Sequence, residues 1–367
     1  MTRIAIIGAG IIGSAIAYEL SLLDGLNITL IDEKSPASGS TGAALGVLMG
    51  IISHKTKGRG WKLRQSSLQR YETLIPELEG LTGNPIPVNR QGILMLCFND
   101  DFRDRWESLA KLRASQGYLL EIWTKNDLLK RCPQIQNERV IGAIYSPQDR
   151  QIDPTILTQS LVTAAAKNGV NCQFGVKVQN IVPIASDASN NGQSYQLQTT
   201  QESLTVDWLI IAAGLGSTSL ITPLKPIVKM QPVLGQALQI KLNHPLGEAN
   251  FQPVITGEDV HIVPIKNDEY WIGATVEFPD QMGQVVPELE LLEQVKQQAI
   301  ALCPLLREGT VIKTWLGKRP RPDGEPAPII KELPDYPHIL LATGHYRNGV
   351  LLAPATALMI RDKIKNS

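Results

Sequence analysis

Residues Gly8-Ala9-Gly10-Ile11-Ile12-Gly13 constrain the fold of this chain more than any other feature. They follow a short apolar run, Arg3 to Ile7, and open a segment, Ile12 to Leu23, with small and apolar residues at helical spacing. A second apolar run, Asn27 to Ile31, ends at Asp32. Strand, glycine turn, helix and strand within about 30 residues make a βαβ unit. Gly8 permits the tight turn, Gly10 lets a pyrophosphate approach the backbone, and Gly13 lets the helix pack close to the sheet. The helix N-terminus offers phosphates its free N–H groups and the positive end of its dipole. Asp32 stands where a carboxylate accepts hydrogen bonds from a ribose 2′-hydroxyl, which disfavours a 2′-phosphate and hence NADP. Glu33 is the adjacent alternative, with its side chain expected on the other face. The pattern predicts a dinucleotide-binding domain and leaves NAD and FAD open.

At about 150 residues per domain, 367 residues suggest two domains. Lys+Arg and Asp+Glu each number 35, which excludes a generally basic nucleic-acid binder. With 43% hydrophobic and 19% charged residues the chain is not a disordered one. No uninterrupted apolar stretch reaches the roughly 18 residues of a membrane span. Cys97, Cys132, Cys172 and Cys303 are far apart, without a CxxC pair or nearby His cluster. Neither a disulfide framework nor a metal site is expected, and a reducing cytoplasm is the default location. The N-terminal apolar run reads as a first strand rather than a signal peptide, because glycines follow where a turn needs them.

Further along, Trp61 to Leu78 and Asp100 to Gln116 read as helices, and Gly92 to Phe98 as a strand. Asp153-Pro154 opens a helix, with Asp as N-cap, Pro at the first helical position and Gly169 as the stop. Val170 to Val182, Tyr195 to Thr199, Leu204 to Ala212, Ala237 to Leu242, Val260 to Ile265 and Tyr270 to Val276 read as strands. Polar Ala185 to Gln193 reads as a hairpin tip, Glu288 to Leu302 as a helix and Trp315 to Pro328 as a Pro/Gly-rich loop. His338 to Ala342 is a closing strand, followed by a helix from about Gly349 to Lys365.

Two late segments favour FAD over NAD. Leu209-Ile-Ile-Ala-Ala-Gly214 is an apolar strand ending in tiny residues that leave room for a flat cofactor. Thr343-Gly-His-Tyr-Arg-Asn-Gly-Val-Leu-Leu-Ala-Pro354 is another strand-to-helix turn, whose helix N-terminus suits negative charge on a reduced flavin ring. With Gly273-Ala-Thr275, Arg319-Pro320, Asp323-Gly324 and the N-terminal GAGIIGSAIAYEL, the chain resembles the FAD-dependent oxidases of the D-amino-acid oxidase superfamily, in particular the glycine oxidase branch, over nearly its whole length.

The resemblance implies an α/β (overall α+β) protein: a Rossmann-like FAD-binding domain, residues 1–83, 146–228 and 315–367, and a substrate domain on a mixed, largely antiparallel sheet, residues 84–145 and 229–314. Candidate FAD-binding residues are Gly8, Gly10, Ile11, Ile12, Gly13, Asp32, Glu33, Thr41, Gly42, Val178, Ala213, Gly214, Gly344, His345, Tyr346, Arg347, Asn348, Gly349 and Val350. Candidate substrate-side residues are Arg319, Arg347 and His261. In the family the arginine of the Arg-Pro motif binds the amino-acid carboxylate, and a guanidinium fork matches a carboxylate bidentately. Arg321 reads as a surface arginine, Trp271 and Trp315 as packing, His345 as a flavin-edge or backbone contact, and Lys55, Lys57 and Arg59 as a solvated basic loop. His261 is equally a hydrogen-bonded strand histidine.

The chain departs from the branch pattern at His261 (usually tyrosine), Ile265 (usually arginine), Val276 (usually methionine) and Arg321 (usually small). These lie on the substrate side. No cysteine stands near Arg319 to tether the flavin, so FAD is expected to be non-covalent. The activity implied is oxidation of glycine, sarcosine or a D-amino acid to a 2-oxo acid and an amine or ammonia, with dioxygen reoxidising the flavin to give hydrogen peroxide. Rivals are a dehydrogenase passing electrons to a quinone or carrier, a tRNA-modifying oxidase of the same superfamily and a flavin-binding regulator without turnover. Zero net charge disfavours nucleic acid as partner; a homo-oligomer is left open.

Overall fold

The computed structural model describes residues 1–98, 102–184, 193–224 and 228–367, without the side chains of residues 102 and 103. Most of the predicted hairpin tip, residues 185–192, lies outside the described residues. The βαβ unit is present as β1 (Thr2–Ile7), α1 (Ile11–Ser21) and β2 (Leu26–Asp32). β1 is the centre of a six-stranded sheet in the order Ile329–Leu333, Tyr336–Thr343, Trp208–Ile211, β1, β2, Asn171–Phe174. All pairs are parallel except the first, an antiparallel hairpin. Parallel strands covered on both faces need apolar side chains throughout, and Ile4 to Ile7, Leu209 to Ile211 and Ile339 to Ala342 are all buried.

α1 is buried from Ile11 to Leu20, which explains its near-total lack of charge. It packs between helices Pro154–Lys167 and Gly349–Lys365, with Gly58–Thr82 laid across them. The Asp153 carboxylate accepts from the Thr155 and Ile156 N–H groups at 2.9 and 3.0 Å, so the predicted cap and N1 proline are in place.

The last helix continues through Pro354. A proline removes one N–H and crowds the carbonyl four residues earlier. Here the Tyr71 hydroxyl donates to the Val350 carbonyl, and the Ala355 N–H donates to Ser67 Oγ at 3.2 Å. Tyr71 thus supplies the donor that Pro354 lacks, and Ser67 gives the neighbouring Ala355 N–H an acceptor.

A second sheet has eight strands, in the order Thr310–Asp323, Lys229–Lys241, Glu269–Gly273, Val260–Pro264, Val254–Gly257, Ile93–Cys97, Gly142–Ser146, Glu121–Thr124. Only Val254–Gly257 and Ile93–Cys97 run parallel. This is the mixed, largely antiparallel sheet expected from the sequence. Helix Leu289–Leu302 covers it.

Three readings of the sequence change. Val170 to Val182 is two strands, Asn171–Phe174 and Val178–Ile184, separated around Gly175 at φ +75°. Leu204 to Ala212 is also two, broken at Asp207, whose carboxylate accepts from the Arg3 N–H and guanidinium at 2.9 and 2.6 Å. Trp315 to Pro328 is a loop only from Gly324 on: strand Thr310–Asp323 runs through residue 315 and pairs with Lys229–Lys241. Pro320 and Pro322 are tolerated because this is an edge strand, where an N–H facing away from the sheet has no partner to lose.

Candidate active site

Three parallel strands end side by side: β1 at Gly8, Trp208–Ile211 at Ala212 to Gly214, and Tyr336–Thr343 at Gly344. Ligands of open α/β sheets bind at this carboxyl edge. A Cβ on Gly8 (φ +108°) would lie 2.6 Å from the Ala212 carbonyl oxygen, and one on Gly13 would lie 1.8 Å from the Gly8 carbonyl oxygen. No other residue fits either place. Thr343 Oγ1 ties the strand ends together, donating to the Gly214 carbonyl at 3.2 Å and accepting from Ser217 Oγ at 2.9 Å.

At the start of α1, Gly10 offers no side chain to cap the helix. The Ile11 N–H is held by Thr41 Oγ1 at 3.0 Å, and Ile12 follows in the same turn. Asp32 accepts from the Ala9 N–H at 2.6 Å and the Lys34 N–H at 2.8 Å. A carboxylate has about four lone-pair positions, so Asp32 keeps acceptor capacity for ribose hydroxyls. Val178 is buried close by, two residues beyond Val176, whose N–H donates to the Asp32 carbonyl at 3.1 Å. Glu33 turns away to Lys177, at 3.6 Å. Gly42 serves the bend of its own loop, since a Cβ there would lie 2.4 Å from the Ala37 carbonyl oxygen. An open helix N-terminus, a turn closed to a Cβ at Gly8 and Gly13, and spare acceptor capacity at the next strand end fit the phosphates and ribose of FAD.

The small-residue segment 35–46 joins the two sheets. Ser40 Oγ donates to the Lys318 carbonyl at 2.6 Å and Trp315 Nε1–H to the Ala43 carbonyl at 3.1 Å. A Cβ on Gly317 would lie 2.3 Å from Ala43 Cβ, so neither side can be larger. Trp315 meets Trp271 edge-on at 5.9 Å, the packing role expected for both.

Side chains alternate along a strand. Along Arg319-Pro320-Arg321-Pro322 the prolines approach the nucleotide-side turns: Pro320 Cγ lies 3.8 Å from an ideal Cβ on Gly214, and Pro322 Cγ 2.6 Å from one on Gly344. Arg319 faces inward. Its Nη1 donates to the carbonyls of Leu234 and Thr275, both at 3.1 Å. A Cβ on Gly235 would lie 2.3 Å from its Nη2, so this glycine makes the space for the guanidinium. Beneath lies buried Glu277, which accepts from Gln236 Nε2 at 3.0 Å, the Glu288 N–H at 2.9 Å and the Thr275 hydroxyl. Burial, then the charge of Arg347, lowers the Arg319 pKa, yet a guanidinium stays charged. Arg321 is exposed and lies over the Phe278 ring at 5.4 Å, as its surface reading implied.

Arg347 sits in the turn Tyr346–Asn348 and reaches Asp259 at 3.8 Å, on the hairpin between Val254–Gly257 and Val260–Pro264. His261, on that hairpin, is hydrogen-bonded through Nδ1 to Thr256 Oγ1. Burial, then Arg347, pushes its pKa down to about 4, so it is neutral at pH 7. The structure thus groups Arg319, Arg347 and His261 beside the turns of Gly214 and Gly344.

His345 contributes its backbone to the turn, but its ring points inward, with Nε2 2.9 Å from Thr356 Oγ1. Burial lowers its pKa to about 3. Asn348 makes no side-chain cap for helix Gly349–Lys365, which leaves that N-terminus open beside Val350.

The sequence reading passed over Gly235, Glu277 and Asp259, and used Thr275 only as part of the Gly273-Ala-Thr275 motif. It also missed buried Asp149, which accepts from the Gly50, Ile51 and Ile52 N–H groups at 2.8 to 2.9 Å and fixes the loop before Lys55. Only a glycine in the middle of a long strand, Gly235, carried a local signal. Among the described residues no group of three His, Cys, Asp or Glu is placed to hold a metal, and no helix is long and apolar enough to cross a membrane.

A glycine-cradled dinucleotide turn, faced by a sheet that presents a half-buried arginine, defines a dinucleotide-binding protein. The chain belongs to the FAD dependent oxidoreductase family (DAO), whose model matches residues 3–363. It is 31% identical over 366 residues to the bifunctional protein ThiO/ThiG of Nostoc sp., covering 99% of this chain and 53% of that protein, so it spans about half the length of that relative. It is 28% identical over 364 residues to glycine oxidase of Bacillus subtilis, covering 98% and 92% of the two chains. Its fold is similar to that of glycine oxidase from Geobacillus kaustophilus, with a TM-score of 0.87 at 26% identity over 100% and 96% of the chains.

Proposed function

We propose that this chain oxidises a small amino acid or N-alkyl glycine, with non-covalent FAD as electron acceptor, to a 2-oxo acid and an amine or ammonia. The observation that carries this is Arg319. Two backbone carbonyls fix Nη1, and no other hydrogen bond of the guanidinium is made among the described residues. A planar fork held in this way is suited to a substrate carboxylate. When bound, FAD supplies the two-electron chemistry by accepting a hydride from the substrate Cα. The chain's own residues orient the substrate: Arg319 anchors the carboxylate, and Arg347 adds positive charge from the nucleotide-side turn. Neutral His261 adds no further positive charge that would repel an amine approaching in its protonated form. The names of the relatives, glycine oxidase and ThiO/ThiG, support the substrate class.

Dioxygen is the proposed final acceptor, with hydrogen peroxide as product. An aerobic panel of glycine, sarcosine, D-proline and other D-amino acids, scored for peroxide and for reduction of an artificial acceptor, tests both parts. Turnover with peroxide supports the oxidase. Turnover seen only with the artificial acceptor makes it a dehydrogenase, and turnover of carboxylate-free amines alone refutes the substrate class.

A further inference from the structure

Helix Gly58–Thr82 carries a buried cation, Arg64, that has no part in the proposed oxidation. Arg64 is 9% exposed. Its Nη1 donates to the Gly60 carbonyl at 2.9 Å and its Nη2 to Asn348 Oδ1 at 3.4 Å, while Nε is buried without a hydrogen-bond partner. No ion pair to Arg64 exists among the described residues. The acid whose charge it feels, Asp149, already accepts from three backbone N–H groups and the Ser146 hydroxyl.

Buried Arg113 is a useful contrast. It too lacks a carboxylate, but it donates to the carbonyls of Ile51, Ser53 and Lys55 and to Gln116 Oε1, and it lies over the Trp61 ring at 3.6 Å. Arg113 is satisfied and holds a loop; Arg64 is not satisfied. A buried charge is costly unless it is paired, so Arg64 lacks an anion.

The place to which Arg64 reaches says which anion. Asn348 precedes a 17-residue helix and makes no side-chain cap, so the helix's first N–H groups keep their partial positive charge. Tyr346 to Asn348 adjoin Gly344, whose turn packs on Pro322 and Met230 beside Arg319. Two independent sources of positive potential, a buried guanidinium and an open helix N-terminus, therefore converge at the turn assigned to the flavin.

We propose that Arg64 and the N-terminus of helix Gly349–Lys365 form an anion site, and that its anion is the flavin ring when that ring carries negative charge. This rests on the flavin assignment of the Gly344 to Val350 turn. Arg64 then tunes the potential of the cofactor, whereas Arg319, on the other sheet, holds the substrate.

The test uses FAD-loaded wild type, Arg64→Met and Arg64→Lys. Sulfite adds its electron pair to oxidised flavin, forming an S–N bond and leaving negative charge on the ring, so its Kd reads the site without any amine substrate. Wild type is expected to form the adduct. Arg64→Met should weaken sulfite ten-fold or more and lower the two-electron midpoint potential by about 30 mV for each ten-fold. Arg64→Lys, which keeps the charge but loses the fork, should fall between. Sulfite affinity and potential within two-fold of wild type, with only thermal stability reduced, would make Arg64 purely structural and overturn the proposal. So would a wild type that forms no adduct. An acetate titration separates the other possible anion: loss of acetate binding with an unchanged potential assigns Arg64 to the substrate carboxylate, against the proposal. Should Arg64→Met fail to retain FAD, Arg64→Lys decides, with a three-fold or greater loss of sulfite affinity expected and none contradicting. Failure of the amino-acid panel with this readout intact would fall on the proposed function alone.

Discussion

The proposed binding role of Arg319 depends on its neighbours. Gly235 makes the space, and the Leu234 and Thr275 carbonyls fix one end of the fork. Gly235→Ala would set a methyl 2.3 Å from Nη2, so the guanidinium must move. We expect KM for the amino acid to rise at least five-fold, about 1 kcal/mol, with FAD content unchanged; steady-state kinetics and flavin stoichiometry check this. The buried histidines make a different prediction. The His345 imidazole titrates near 6.5 when unfolded and is lowered to about 3 by burial, so the unfolded chain binds the extra proton between those values. Stability contributed by neutral His345 is present above about pH 6.5 and is lost as pH falls toward 3. Between pH 6.5 and 4.5 the melting temperature should fall less steeply in His345→Gln than in wild type, and equal slopes would contradict the burial argument.

At the scale of elements, the last helix depends on its neighbour. Pro354 leaves the Val350 carbonyl without its helical donor, and the Tyr71 hydroxyl supplies one. Tyr71→Phe should therefore destabilise the protein by about 1–3 kcal/mol, the cost of an orphaned buried acceptor. In a Pro354→Ala background the helix regains its own N–H, and the same change should cost less than half as much. Urea unfolding of the four proteins measures that coupling. The elements also divide by what a single sequence can reveal. The βαβ unit and the Asp153-Pro154 cap were legible because their signals are local: glycine spacing, an N-cap and apolar runs. Strand Thr310–Asp323 was not, because prolines argue against a strand unless its place at a sheet edge is known. Asp259 and Glu277 were illegible for the same kind of reason. Each meets its partner only through tertiary pairing, Asp259 with Arg347 and Glu277 with Gln236.

For the whole molecule, the two sheets meet where small residues allow it, Ala43 against Gly317 and Gly344 against Pro322. The candidate site lies at that seam, so a bound cofactor contacts groups from distant parts of the chain and should stabilise their association. FAD binding to the folded state alone should raise the melting temperature with FAD concentration, by about 2.7 kcal/mol of added stability at one hundred times Kd. Acid precipitation should release the flavin quantitatively, and flavin retained by the denatured chain would refute the non-covalent reading.

The role proposed for Arg319 is to anchor the carboxylate of an amino substrate for oxidation by FAD. Anaerobic bleaching of the bound flavin, followed in wild type and Arg319→Lys with sarcosine, glycine and the carboxylate-free amine methylamine, tests it most directly. Wild type should be bleached by an amino acid and not by methylamine. Arg319→Lys, with a point charge in place of a fork, should need at least ten-fold more amino acid for half-maximal bleaching, as expected for loss of about 1.5–3 kcal/mol. Equal bleaching by methylamine, or an unchanged concentration dependence in Arg319→Lys, would contradict it.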